Sequence, residues 1–301
     1  MIGLVLGLLT LTTAGVGPSP ASAGQTYACN GQSATIVIDV TNPDQQGTSG
    51  DDVVTILDGG HHFSAGAGAD SVCTESGQNT IAGGVGDDFV SAGGFEPNVV
   101  RGGQGDDVIL VSKGLARGQT TVKAGPGDDL VTATYGDHTI ELGPGNDTAV
   151  LDEATNTTVL GGRGADTLQR VRPGEGIDSR ILSASFFGNK GRDVLSYQAY
   201  SVVDDNNAPA VAINTATHKA TGYGTITFHS VADFLGSEAN DRFRGGAGTR
   251  VDRFWGLAGN DRMFGNGGND FLYGGAGNDN ADGGAGRDTC RAERRTSCER
   301  N

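Results

Sequence analysis

A nine-residue unit rich in glycine and aspartate repeats along most of this chain of 301 residues. Near the C-terminus four copies follow one another without a gap, as GLAGNDRMF, GNGGNDFLY, GGAGNDNAD and GGAGRDTCR, so that their aspartates are each nine residues apart: Asp261, Asp270, Asp279 and Asp288. Seven more copies lie upstream at separations of 18 to 22 residues, with aspartates at Asp52, Asp70, Asp88, Asp107, Asp129, Asp147 and Asp166. So short a period, with glycine at fixed offsets, is typical of a solenoid of stacked coils.

Between the upstream copies lies a weaker half-repeat that lacks the acidic turn. Examples are SGQNTIAGG (76–84) and TYGDHTIEL (134–142), which keep a short stretch of β-branched and apolar residues. Similar residues follow each repeat aspartate, and such stretches favour strands. One unit therefore predicts one turn plus one short strand, and two units close a coil of 18 residues. We expect an all-β chain folded as a parallel β-solenoid.

Composition excludes several other classes of protein. The chain holds 52 glycines, and its net charge is −15, with 28 aspartates but only 8 glutamates. With 8 prolines and no strict Gly-X-Y period it is not collagen, and its negative charge excludes a basic nucleic-acid binder. The low apolar content disfavours an ordinary α/β enzyme core. A disordered acidic chain and a periodic fold are the two interpretations that remain.

The repeats resemble the RTX, or hemolysin-type, calcium-binding nonapeptide G-G-x-G-x-D-x-U-x, in which U is a large apolar residue. The resemblance covers most of residues 47–291. It continues through Asp193-Val194-Leu195-Ser196-Tyr197 and the segments 210–224 and 235–246, which are similar to a widened coil of such proteins. It implies a right-handed parallel β-roll of stacked 18-residue coils. Residues 167–240 are then a widened or irregular part of the roll, with a small inserted domain as the alternative.

The residue types of the repeat also suit calcium. Glycine permits tight turns with positive φ and leaves carbonyl oxygens unobstructed, and aspartate adds a short carboxylate. Six to eight such hard oxygens at roughly 2.3–2.6 Å make a Ca²⁺ site, whereas Mg²⁺ demands a stricter octahedron. We expect several Ca²⁺ ions. The candidate ligands are Asp52, Asp70, Asp88, Asp107, Asp129, Asp147, Asp166, Asp241, Asp252, Asp261, Asp270, Asp279 and Asp288, with Gly103, Gly105, Gly259, Gly268, Gly275, Gly277, Gly284 and Gly286 in the turns.

The spacing predicts where these aspartates lie. Turns 18 residues apart stack on one edge of a solenoid, about 4.8 Å from each other, so one ion can bridge two turns. We expect one row from Asp52 to Asp166. Downstream we expect two rows on opposite edges, Asp252, Asp270 and Asp288 on one and Asp241, Asp261 and Asp279 on the other. Asp252 is the weakest member because its unit, GGAGTRVDR, carries extra residues. The apolar residue two positions after each aspartate should fill the interior.

The ends of the chain carry separate signals. Residues 1–23 combine an apolar run with the small-residue pattern Ala21-Ser22-Ala23, which is typical of a cleaved secretory signal peptide. We expect residues 24–46 to form an N-terminal cap and residues 292–301 a C-terminal cap or tail. Four cysteines in a secreted chain predict two disulfides with three possible pairings; we favour Cys29–Cys73 and Cys290–Cys298.

These expectations point to a secreted, extracellular protein that binds calcium and folds around it. The resemblance leaves its partner open, with a cell-surface polysaccharide or the cell envelope as candidates, and we expect no nucleic acid and no membrane span in the mature chain. A structural or adhesive envelope protein that uses the solenoid as a spacer is the first alternative. A carbohydrate-active enzyme is a weaker alternative, because almost the whole chain is repeat; we expect no catalytic residues.

Overall fold

The computed structural model of the protein describes residues 26–43, 45–112, 119–171, 182–198, 210–222 and 224–299. The predicted signal peptide, 1–23, lies outside the described residues, as do the last two residues of the predicted tail. Throughout the described ranges the regular structure is β-strand, without a helix that could cross a membrane. The prediction of an all-β parallel solenoid is confirmed.

Each coil contributes one strand to each of two long sheets. The first sheet has 13 strands, stacked in chain order. They are β3 (Ile36–Ile38), β4 (Val53–Ile56), β6 (Ser71–Thr74), β8 (Phe89–Ala92), β10 (Val108–Ser112), β12 (Leu130–Thr134), β14 (Thr148–Asp152), β16 (Thr167–Arg170), β18 (Asp193–Ser196), β22 (Val231–Leu235), β24 (Arg253–Ala258), β26 (Phe271–Ala276) and β28 (Thr289–Arg291).

The second sheet has 14 strands. They are β5 (His62–Ala67), β7 (Thr80–Val85), β9 (Val99–Gln104), β11 (Gln119–Lys123), β13 (Asp137–Pro144), β15 (Thr155–Arg163), β17 (Ser183–Lys190), β19 (Ala212–Asn214), β20 (Lys219–Gly222), β21 (Gly224–His229), β23 (Arg242–Arg244), β25 (Arg262–Phe264), β27 (Asn280–Asp282) and β29 (Arg294–Thr296). Neighbouring strands pair in parallel except around β20, which is antiparallel to both β19 and β21. We call the turns that precede first-sheet strands the first edge, and those that precede second-sheet strands the second edge.

The interior is a narrow column of apolar side chains between the two sheets. Buried and partly exposed residues alternate along the strands, as in Val108–Ser112. The apolar residues expected in the interior are fully buried: Val54, Val72, Val90, Ile109, Val131, Leu168, Leu195, Phe243, Met263 and Leu272. Because each coil contributes only a few such side chains, stability depends on the stack rather than on any single coil.

The core is filled by larger side chains between β17 and β24. Here phenylalanines replace the valines and alanines of the upstream coils, and Phe228, Phe234 and Phe254 follow one another with ring centroids 5.0 and 5.4 Å apart. The first sheet nevertheless continues from β16 through β18 to β22 and β24 with parallel pairing. The described part of 167–240 therefore lies in the same two sheets as the rest of the solenoid.

Both ends of the solenoid carry a disulfide. Cys29 lies in a hairpin of β1 (Ala28–Cys29) and β2 (Gln32–Ser33) and is bonded to Cys73 of β6. At the other end Cys290 of β28 is bonded to Cys298. These are the two pairings favoured from the sequence. Each bond attaches a short terminal segment to the stack of coils.

Candidate metal centre on two edges of stacked aspartates

The repeat aspartates of the first edge form a continuous hydrogen-bonded ladder. The backbone N–H of each aspartate donates to Oδ1 of the aspartate in the next coil, for example from Asp88 to Asp107 at 2.9 Å and from Asp107 to Asp129 at 2.8 Å. The ladder runs from Asp52 to Asp166 and then extends to Asp193 at 2.9 Å. We call this the upstream row.

Two shorter rows occupy the downstream coils. Asp252, Asp270 and Asp288 precede first-sheet strands and are linked by the same bonds at 2.8 Å. These residues, the downstream row, therefore lie on the edge that carries the upstream row, separated from it by the coil of β22. Asp241, Asp261 and Asp279 precede second-sheet strands and form the second-edge row, with bonds of 2.7 and 2.8 Å. The structure thus places all 13 predicted aspartates in the predicted rows; their binding of calcium stays a prediction.

On the second edge of the upstream coils, the stacked hydrogen-bond acceptors are neutral side chains. There the N–H of His61 donates to Oδ1 of Asn79, and the N–H of Asn79 donates to Oδ1 of Asn98. Asn98 in turn donates to the hydroxyl of Thr120. The bond pattern is that of the aspartate rows, but the stacked acceptors are uncharged. Rows of stacked carboxylates therefore lie on one edge of the upstream coils and on both edges of the downstream coils.

Most of the stacked carboxylates keep one oxygen without a hydrogen-bond partner. Oδ2 is buried and accepts no hydrogen bond within the described residues at Asp70, Asp88, Asp107, Asp129, Asp147, Asp166, Asp193, Asp261, Asp270, Asp279 and Asp288. Buried polar oxygens normally have a partner. So regular a series of unpaired oxygens, one in each coil of a row, indicates that something other than the protein satisfies them.

The space beside each unpaired oxygen is left open by a glycine. A methyl group on Gly102 would lie 2.2 Å from Oδ2 of Asp107 and 2.5 Å from the carbonyl oxygen of Ala124 in the next coil. Two acceptor oxygens from successive coils therefore border one small volume with no donor between them. The same pair of oxygens borders a glycine at Gly83, Gly161, Gly256 and Gly265. A cation that prefers oxygen ligands fits this arrangement.

The eight glycines predicted for the turns have the backbone that the repeat requires. All of them have positive φ, between 90° at Gly284 and 146° at Gly277. A side chain on Gly103 would also lie 2.0 Å from the carbonyl oxygen of Gly84 in the preceding coil. Successive turns therefore stack backbone against backbone. The glycines with this conformation are Gly103, Gly105, Gly259, Gly268, Gly275, Gly277, Gly284 and Gly286.

Burial next to like charges changes the acidity of these groups. It raises the pKa of Asp107, Asp129, Asp166, Asp261 and Asp270 to about 7. Burial is the largest cause, and neighbouring carboxylates add to it, although the backbone hydrogen bond to Oδ1 acts in the opposite direction. The charged form of the row is thus unfavourable without a compensating positive charge.

The first aspartate of each row differs from those that follow. Oδ2 of Asp52 accepts the N–H of Thr48, and Oδ2 of Asp241 accepts that of Ser237, both at 2.6 Å. Asp252 is held by the hydroxyl of Thr215 at 2.9 Å and pairs with Arg250 at 3.2 Å. These three carboxylates already have protein partners, so they have less capacity for a metal ion. The extra residues in the Asp252 unit supply its arginine.

The sequence reasoning missed three members of this system. Asp193 ends the upstream row, and its signal was the partial unit GNKGRD at 188–193. Glu293 and Glu299 end the other two rows, because they accept the N–H groups of Asp279 and Asp288. Neither glutamate lies in a repeat unit, so no periodic signal pointed to them.

The ligands of any single ion would come mainly from the backbone. Within the described residues no three histidine, cysteine, aspartate or glutamate side chains converge as a metal-binding group. A cation between two turns would therefore combine one or two carboxylates with carbonyl oxygens. That donor set suits Ca²⁺ rather than a transition metal.

Comparison with known proteins agrees with this geometry. The sequence profile of the RTX calcium-binding nonapeptide repeat matches residues 64–96, 90–114, 117–149 and 252–290. These stretches cover less than half of the chain. They include aspartates of the upstream row, the downstream row and the second-edge row. No curated protein matches the chain. The chain is thus a β-solenoid in which four stretches match the RTX calcium-binding nonapeptide repeat.

Proposed function

We propose that this is a secreted protein whose β-solenoid folds around Ca²⁺ ions bound between successive turns. One observation carries the proposal: the series of buried Oδ2 oxygens without a hydrogen-bond partner. At Asp88, Asp107, Asp166, Asp261 and Asp270 this oxygen borders the same small space as a carbonyl oxygen of the next coil. The residues that would hold the ions are the interior members of the three rows. When bound, Ca²⁺ supplies positive charge to a stack of carboxylates that otherwise repel one another.

Binding of this kind is strong enough to control folding. Extracellular calcium modules have dissociation constants of roughly 10⁻⁴–10⁻³ M. At a calcium concentration ten times the dissociation constant, each site adds about 1.4 kcal/mol to the free energy of unfolding. A few sites then contribute an amount comparable with the total stability of a domain, about 5–15 kcal/mol. We expect the calcium-free chain to be largely unfolded.

The extracellular location is part of the proposal. Two disulfides are typical of proteins in oxidising compartments. The match to the RTX repeat is consistent with an extracellular location. The N-terminal segment 1–23 has the pattern of a signal peptide.

We propose a binding or structural role rather than catalysis. The paired acids of the turns, such as Asp106 and Asp107, are already used by the repeat. Oδ1 of Asp107 accepts the N–H of Asp88, and Oδ1 of Asp106 accepts the N–H of Asp128. Their regular recurrence supports a role in every coil instead of one active site.

A structural or adhesive function at the cell envelope is the second candidate. Thirteen stacked strands make a solenoid roughly 58 Å long at about 4.8 Å per strand, and calcium would make it rigid. If this is the role, chelator should release the protein from cells. A protein found only in the medium, before and after chelation, would favour the free secreted form.

The test of the main proposal is a calcium titration of the mature chain. Circular dichroism should show β-structure at millimolar Ca²⁺ and its loss with EDTA, and Mg²⁺ at the same concentration should not restore it. Isothermal calorimetry on the same sample counts the ions. An identical spectrum and melting curve in calcium and in EDTA would refute the proposal.

A further inference from the structure

A polar groove of about 1030 Å³ lies on the outer face of the second sheet near its C-terminal end. One column of side chains runs along it, because Arg242, Arg262, Asn280 and Arg294 are paired in register on β23, β25, β27 and β29. Three of these four residues are arginines, and all three are exposed. Asn240, Asn260 and Phe264 also line the groove.

The groove presents hydrogen-bond donors. Oδ1 of Asn240 accepts the N–H of Asn260 at 2.6 Å, and Oδ1 of Asn260 accepts the N–H of Asn278 at 2.8 Å. The amide oxygens are thus used within the turns, and the NH₂ groups remain for a ligand. Within the described residues, no acidic side chain forms an ion pair with any of the three arginines.

The arginines stand out against the charge of the whole chain. Residues 1–166 hold 20 acidic and 5 basic residues, so they account for the entire net charge of −15. Residues 167–301 hold 16 of each, and this is where the arginine column lies. Like charges on neighbouring strands are destabilising. An anion bound beside Arg242 and Arg262, which are paired on neighbouring strands, would relieve this repulsion.

The side chains of the arginine column recur at a regular distance along the solenoid axis. Neighbouring strands are about 4.8 Å apart, so Arg242 and Arg294 span about 14 Å along the solenoid axis. A ligand with one acidic group would meet one arginine, whereas a linear polymer with repeated acidic groups would meet all three. A sugar unit of an extended polysaccharide advances by a distance similar to one coil.

We propose that this groove binds an acidic polysaccharide along the solenoid axis. Guanidinium groups would hold its carboxylate or sulfate groups, the asparagine amides would donate to its oxygens, and Phe264 would contact a sugar face. A protein partner fits less well, because Phe264, 36% exposed, is the single exposed large apolar side chain among the described residues that line the groove. The inference rests on the proposed function, since Asp241 and Asp261 of the second-edge row border the groove, and calcium bound beside Asp261 would compensate the negative charge there.

The test compares dextran sulfate with uncharged dextran of the same length, in calcium. Wild-type protein should bind dextran sulfate and not dextran, and binding should weaken with salt. The double variant Arg242→Gln/Arg262→Gln should weaken binding at least about tenfold. Arg244→Gln is the matched control, because Arg244 lies on the same strand but in the neighbouring column, outside the groove. It should change the affinity less than about twofold.

Circular dichroism of the same samples separates the two proposals. Calcium-dependent folding without any preference for dextran sulfate, or equal binding by the double variant, would overturn the inference and leave the proposed function intact. Absence of calcium-dependent folding would refute the proposed function. Sedimentation velocity adds one more outcome: self-association that the double variant abolishes and dextran sulfate does not disrupt would assign the groove to a second copy, and so overturn the inference.

Discussion

The backbone N–H of Asp279 donates to Oε2 of Glu293 at 2.8 Å, where every earlier member of its row donates to an aspartate of the next coil. Glu299 takes the same place for Asp288. The segment that carries both glutamates is attached by the Cys290–Cys298 disulfide. The last coil is thus completed by side chains from outside the repeat.

Replacing Glu293 should loosen the C-terminal coil. We expect Glu293→Ala to speed hydrogen exchange at the amides of β27 and β29 in calcium, because the N–H of Asp279 loses its acceptor. Glu293→Gln, which keeps an acceptor oxygen, should change exchange less. Glu75→Ala, at an exposed position of the N-terminal half, is the control. Unchanged exchange in β27 would contradict a capping role for Glu293.

Calcium affinity should depend on the second aspartate of each Asp-Asp pair in the turns, which is the buried one. Asp107→Asn keeps the Oδ1 acceptor for Asp88 but removes the charge at the unpaired Oδ2, so we expect the calcium midpoint of folding to rise several-fold. Asp106→Asn removes an equal charge one residue earlier, at an exposed position, and should shift the midpoint much less. Equal shifts in the two variants would show that only overall charge matters.

A single methyl group should block one site. Gly102→Ala would place its methyl 2.2 Å from Oδ2 of Asp107, so the turn must shift. We expect a loss of about 1–3 kcal/mol in the free energy of unfolding, together with one bound ion fewer by calorimetry. Gly93→Ala is the matched control, since its nearest contacts would be 3.5 and 3.6 Å away. Equal stability of the two variants would contradict this account of the turn.

The loss of stability with rising pH should occur without calcium and disappear in its presence. Without the ion, the folded pKa of Asp107 and Asp129 is about 7, above the value near 3.9 of an unfolded aspartate. Between these values the folded chain binds more protons than the unfolded chain, so raising the pH from about 4 to about 7 should lower its stability. Saturating calcium replaces the protons and should remove this loss. The folded fraction by circular dichroism at several pH values, in EDTA and in calcium, checks both expectations; the same fall with rising pH in both conditions would contradict the prediction.

The two disulfides should differ in their contribution. Cys29 and Cys73 are 44 residues apart, whereas Cys290 and Cys298 are 8 apart. From the chain entropy of the closed loops we expect Cys29→Ser/Cys73→Ser to cost about 4 kcal/mol and Cys290→Ser/Cys298→Ser about 2.5 kcal/mol. Denaturant unfolding of both double variants in calcium checks the order. A larger loss in the C-terminal variant would show that the disulfide does more there than close a loop.

The repeat made the rows predictable, because a fixed spacing determines which turns stack. Asp107 and Asp261 could be assigned to their edges from residue counts alone. The acceptor role of Glu293 could not, because it follows Asp279 by 14 residues and depends on the path of the tail. Nor did the repeat indicate the arginine column, since Arg242 and Arg262 follow the repeat aspartate at a position where the nonapeptide accepts any residue, and Arg294 lies outside the repeat units.

In every row the hydrogen bonds run in one direction, from the N–H of one aspartate to Oδ1 of the aspartate in the next coil. This affects how such a chain can change in length. Each interior coil brings one N–H donor and one Oδ1 acceptor, so a duplicated or deleted coil leaves no unmatched group in the stack. Only the ends of the rows are unique, because the first aspartates use Thr48, Ser237 and Gly246. The last aspartates of the second-edge row and the downstream row use Glu293 and Glu299. Evolution can therefore lengthen or shorten the interior by whole coils while the terminal segments stay constant.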